Sequence, residues 1–193
     1  MDKSTNKKKE KPAHGNRIFL VGFMGAGKTS VGRLLASMLG YQFVDTDTLV
    51  EQAEGRSVSE IFREHGEGYF REIEAVCLRN GVIPSGNIII ATGGGTPCFH
   101  LNMKWMKEQG TTIMLHTPPH VLTNRLFVLM AHRPLIAGFN KKKQLLTYVE
   151  NQLVMRHYYY DQADYIVYCK KKEVFSVAQD LKVLIERIYS KDQ

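Results

Sequence analysis

The apolar positions along the chain switch between two periods. Residues 17–21, 41–44, 88–91, 111–115 and 165–168 are short runs rich in apolar and β-branched side chains. Continuous apolar character over strand length predicts strands covered on both faces. Residues 28–39, 48–53, 57–65, 69–80, 120–130 and 143–157 carry apolar residues at helical spacing instead. In the first of these, Val31, Leu34, Leu35 and Met38 share a face, and Gly40 stops the helix. The last helix has the clearest stripe: Val174, Val177, Ala178, Leu181, Leu184, Ile185 and Ile188. Such a stripe packs on a core. Strands alternating with helices predict an α/β fold around a parallel sheet.

A glycine-rich turn, residues 22–27, joins the first strand to the first helix. The run Gly22-Phe-Met-Gly-Ala-Gly27-Lys28-Thr29 satisfies G-x-x-x-x-G-K-[ST] in full. It also has the strand before and the helix after that the motif requires. Its backbone N–H groups, those of Gly25, Ala26, Gly27 and Ser30 among them, converge on phosphate oxygens at a helix N-terminus. Lys28 reaches the β- and γ-phosphates, and the Thr29 hydroxyl ligates Mg²⁺. The implied ligand is ATP with Mg²⁺.

Other candidates stand at the ends of the later strands. Asp45 and Asp47 follow the second strand. Spacing alone allows two readings: a helix N-cap, or a pair that serves Mg²⁺ and an attacking hydroxyl from one side of the strand. Thr92-Gly93-Gly94-Gly95 follows the third strand. This is either a tight turn or a wall where a ligand presses on exposed backbone N–H groups. Arg71 and Glu74 fall on one face of a helix. They form either a surface ion pair or an arginine held ready to fork a carboxylate. Residues 109–149 contain no acid, yet hold Arg125, Arg133, Lys141, Lys142 and Lys143. That is the character of a lid closing over a polyanion.

These pieces in order, GFMGAGKTSVGRLLA, FVDTD, EGRSVSEIF, HGEGYFREIE, ATGGG, RPLI and Arg156 before QAD, give a chain that resembles shikimate kinase across about residues 17–189. The resemblance implies a P-loop kinase fold like the nucleoside monophosphate kinases, a five-stranded parallel sheet flanked by helices, with a mobile lid at about 118–142. It implies transfer of the ATP γ-phosphoryl to the 3-hydroxyl of shikimate. By that pattern Asp45 helps hold the magnesium waters, and Asp47 binds the shikimate hydroxyls and orients the reacting one. Arg71 and Arg156 clamp the carboxylate, and Gly93, Gly94 and Gly95 give backbone contact. Arg133 is the lid arginine at the transferring phosphoryl, and Arg125 the arginine on the adenine side. The chain departs from the family at Arg156-His-Tyr-Tyr-Tyr160, where Arg-x-Pro-Leu-Tyr is usual, and at Thr96-Pro97 after the glycines.

Length and charge add bounds. The 193 residues suit one domain, 17–193, after a polar tail at 1–16. Net charge is +7, of which +4 lies in the first 17 residues. The body is too balanced for a dedicated nucleic-acid surface, so neither nucleic acid nor membrane is expected as a partner. Cys77, Cys98 and Cys169 have neither metal-ligand nor redox spacing. They read as free thiols of a cytoplasmic, monomeric enzyme. A kinase of another polyol acid, such as gluconate, is the nearest alternative.

Overall fold

The computed structural model describes residues 15–81, 85–129, 134–170 and 173–190. Arg133 and residues 1–14 of the tail lie outside the described residues, so the expectations placed on them stand untested.

Five strands form one sheet: β1 (Arg17–Val21), β2 (Gln42–Asp45), β3 (Ile88–Ala91), β4 (Thr111–His116) and β5 (Tyr165–Tyr168), in the order β2-β3-β1-β4-β5. Every pairing is parallel. The register sets Leu20 and Asp45 level with Ala91. The chain therefore leaves β1, β2 and β3 side by side at their carboxyl ends. In an open α/β sheet this is the edge where ligands bind.

The strand runs match their burial. Ile18 to Val21 and Ile88 to Ile90 are fully buried, and each such side chain stabilises the fold by about 1.5–3 kcal/mol. The edge strand β5 differs: Tyr165, Ile166 and Tyr168 are exposed, since only β4 flanks it. Among the described residues, seven α-helices cover the sheet and its ends: α1 (Lys28–Leu39), α2 (Thr46–Glu54), α3 (Val58–Asn80), α4 (Asn102–Gln109), α5 (Pro119–Val128), α6 (Lys142–Tyr160) and α7 (Val174–Ser190). The α7 stripe buries Val177, Ala178, Leu181 and Ile185 in the main core. Val174, its first member, is exposed at the edge of a cleft instead. The apolar pattern does not announce α4. Its buried residues are Asn102, Met103 and Met106, and its N-cap, Leu101, offers no side-chain acceptor.

The two helices expected at 57–65 and 69–80 form one stretch, α3, broken at Gly66 (φ 79°, ψ 178°). Gly66 can hold that backbone because it has no Cβ. A capping box between Ser57 and Glu60 starts the helix. A small second core of Val50, Ile61, Phe70 and Cys77 joins α2 to α3. This second core is separate from the main one, which takes Leu78 of α3, and the helix pair carries Arg71.

Candidate active site

Two clefts open at the carboxyl ends of the strands. The first, about 370 Å³, is lined by Gly25, Ala26, Gly27, Lys28, Thr29 and Ser30, with Asp45, Asp47 and Arg125. The turn at 22–27 puts Gly27 in the left-handed region (φ 98°) as the N-cap of α1, with no side-chain cap. The first N–H groups of the helix are thus left for an anion. Lys28 is buried, and its Nζ donates to the carbonyls of Gly22 (2.7 Å) and Phe23 (3.0 Å). The ammonium is held over the loop by its own backbone. Arg125, from α5, donates to the Gly25 carbonyl at 3.0 Å and forms the opposite wall.

Asp45 takes both roles that its position allows. One oxygen accepts from the Asp47 N–H at 3.0 Å, capping α2. The other accepts from the Thr29 hydroxyl at 2.7 Å. Because Asp45 ends the strand, Asp47 lies in the first turn of a helix; the two are not a same-face pair on one strand. Both nevertheless line the first cleft.

The second cleft, about 320 Å³, is lined by Asp47, Phe62, Phe70, Arg71, Glu74 and the glycines Gly93, Gly94 and Gly95, among others. Arg71 is buried, 5% exposed, between the rings of Phe70 (5.0 Å) and Phe99 (4.7 Å). Its Nη1 donates to Glu74 at 2.9 Å, and its Nε and Nη2 donate to Glu67 at 3.1 and 2.8 Å. Glu74 is fully buried and also accepts from the Thr96 hydroxyl at 2.6 Å. Burial works against the charged guanidinium. Glu74 and Glu67 outweigh it, and Arg71 is held above its ordinary value. The pair is therefore a buried clamp, not a surface ion pair.

The glycine triplet is required by close approach. A Cβ on Gly93 would lie 2.4 Å from the Glu74 carboxylate, and one on Gly95 2.5 Å from the Arg71 guanidinium. The triplet makes room for the clamp as well as for a ligand. Its N–H groups are not all open, as the sequence suggested: Gly93 donates to the buried Thr46 hydroxyl at 2.9 Å. That bond ties the start of α2 to the end of β3.

Arg156 does not line the second cleft. It is buried on α6, 5.3 Å from the Phe23 ring centroid, with Nη1 3.4 Å from the Gly94 carbonyl. The same carbonyl accepts a 2.6 Å bond from the Tyr160 hydroxyl, one helical turn further on. Burial pushes the Tyr160 phenol well above its usual value, so the hydroxyl stays a donor. Cys98 is half-buried nearby. Burial pushes its thiol up to about 11 against the pull of Arg156 and Arg71, which leaves it a poor nucleophile at neutral pH.

Tyr160, Thr46, Thr96 and Glu67 shape the site without having been singled out in the sequence. Spacing could have found two of them. Tyr160 is four residues after Arg156 and Glu67 four before Arg71, so each shares a helix face with a candidate. Nothing local marks Thr46 or Thr96.

The two clefts share Met24, Asp47, Gly93, Gly94 and Leu129. The P-loop cleft and the cleft of the Arg71 network thus meet at Asp47. The family model for shikimate kinase matches residues 24–188. A shikimate kinase of Bacteroides fragilis is 44% identical over 156 residues, 81% of this chain and 86% of that protein. The crystal structure of shikimate kinase from Bacteroides thetaiotaomicron superposes with a TM-score of 0.80 at 37% identity, covering 89% of this chain and 98% of that one. That of the Acinetobacter baumannii enzyme in complex with shikimate also gives 0.80, at 32% identity, covering 91% and 95%. On this evidence the chain belongs to the shikimate kinase family.

Proposed function

We propose that this enzyme transfers the γ-phosphoryl of ATP to the 3-hydroxyl of shikimate, a step of aromatic amino acid biosynthesis. The observation that carries the reading is the meeting of the two clefts at Asp47. Phosphoryl transfer needs donor and acceptor held in line more than it needs covalent help. The P-loop N–H groups and Lys28 hold the phosphates. Arg71 grips the shikimate carboxylate on the far side of Asp47, and Arg156, outside that cleft, adds its charge from behind Gly94, whose carbonyl it contacts. Asp47 then orients the attacking hydroxyl and accepts its hydrogen bond. Gly93, Gly94 and Gly95 press against the ring. Arg125 covers the adenine side, and Arg133 reaches the transferring phosphoryl when the lid closes.

Thr29 and Asp45 fit Mg²⁺. The Thr29 hydroxyl donates its hydrogen bond to Asp45, which leaves its lone pairs for a cation. Among the described residues no group of three or more His, Cys, Asp or Glu is placed to hold a metal ion. Mg²⁺ would need none here, since it keeps several waters and takes substrate phosphates beside one or two protein ligands. Held by Thr29 and Asp45, it would supply neutralising charge for the phosphates. The three free cysteines suit a cytoplasmic enzyme, taken here as a monomer. No helix among the described residues is long and apolar enough to cross a membrane.

The test is ADP release from ATP and Mg²⁺ with shikimate, gluconate or a nucleoside monophosphate as acceptor. Stimulation by shikimate alone is expected. Stimulation by another acceptor would leave the phosphate site standing and remove the assigned roles of Arg71 and Arg156.

A further inference from the structure

The Arg71 fork already holds a carboxylate. Its Nε and Nη2 edge, the side-on edge suited to forking an acid, donates to one oxygen of Glu67 at 3.1 and 2.8 Å. Glu74 holds Nη1. Two carboxylates therefore share one guanidinium, and a substrate carboxylate can take the Nε–Nη2 edge only if Glu67 gives it up. The two are not equally free to go. Glu74 is fully buried and fixed a second time by Thr96. The Glu67 side chain is 41% exposed, and its hydrogen bonds run to Arg71 alone among the described residues.

The backbone around Glu67 favours release. Gly66 and Gly68 bracket it, and a Cβ on either would meet nothing within 4 Å. Packing therefore does not require glycine at either place. Gly66 breaks the helix at φ 79°, so Glu67 opens the second half of α3. A carboxylate in a first helical turn is favoured by the helix dipole even when it points to water.

We infer that Glu67 is an internal competitor of the substrate: its carboxylate occupies the Arg71 edge that shikimate needs, and must swing to solvent when shikimate binds. Glu67 is a specificity residue in this account, since it blocks the fork against acceptors that bring no carboxylate to displace it. The inference rests on the reading of Arg71 as the carboxylate clamp.

Steady-state kinetics of Glu67→Gln, Glu67→Ala and Arg71→Lys separate the two ideas. Glu67→Gln and Glu67→Ala should lower the shikimate KM by about two- to fivefold, the scale set by a half-exposed ion pair. Both should leave kcat and the ATP KM unchanged. Arg71→Lys should raise the shikimate KM about tenfold or more, because an ammonium cannot fork an acid. If the Glu67 variants raise the KM or leave it alone while Arg71→Lys raises it, Glu67 is a buttress and the competitor idea is overturned with the clamp intact. If Arg71→Lys leaves the KM unchanged, the clamp reading fails and the inference fails with it.

Discussion

The nucleotide cleft and the acceptor cleft are built by opposite means. The first is a turn of backbone between β1 and α1, anchored on the main core and pinned by Lys28 to its own carbonyls. Its loop residues, Gly25 to Ser30, are consecutive in sequence. The second is a set of side chains from α2, α3 and the segment after β3, resting on a small satellite core. It depends on a buried charge network, Thr96–Glu74–Arg71–Glu67, and on glycines that keep clear of it. Backbone dipoles recognise phosphate with little to go wrong. A buried arginine gives geometric selectivity, but it is costly to hold, since each charge must keep its partner. On the proposed reading, phosphate recognition rests on the main core and acceptor choice on the smaller one.

Three variants probe that contrast, in descending size of effect. Lys28→Ala should reduce kcat/KM by about 10³, the scale of losing a charged donor at the transferring group. Loss of its bonds to Gly22 and Phe23 should also cost about 1–3 kcal/mol of stability, so a melting curve must show the variant folded at the assay temperature. A variant of near-normal activity would remove Lys28 from the phosphate site. Glu74→Ala should act on stability first, lowering it by about 3–5 kcal/mol, because it breaks a buried pair and leaves Arg71 with Glu67 alone. Urea unfolding measures this, and a loss below about 1 kcal/mol would make the network a surface feature in energy. Tyr160→Phe should be the mildest. It removes one hydrogen bond to Gly94, worth about 1 kcal/mol, and should raise the shikimate KM a few-fold while sparing the ATP KM. An equal rise in both would deny that Tyr160 serves the acceptor half.

The same contrast explains what the sequence disclosed. The P-loop was legible in full because its chemistry is contiguous, from Gly22 to Thr29, with a strand before it and a helix after. The sheet was legible because its strands read as apolar runs, the inner ones, β1, β3 and β4, being covered on both faces. Asp45 was visible but ambiguous, and the structure shows why: it caps α2 and binds Thr29 with its two oxygens. The second cleft is assembled from separated segments, around Asp47, Arg71 and Gly93. No local spacing brings those together, and only the family resemblance did. Thr46 stayed hidden because its value lies in a bond to Gly93, 47 residues away. Helix α4 stayed hidden because three buried residues in a polar stretch make a faint stripe.

The central claim is that the two halves meet at Asp47. Steady-state kinetics of Asp47→Asn against both substrates tests it most directly. The substitution keeps the shape and removes the acceptor strength of the carboxylate. The account predicts a fall in kcat of about 10²–10³, with the ATP KM close to that of the parent enzyme. A variant that turns over at the parent rate, or that fails only by losing ATP, would contradict it.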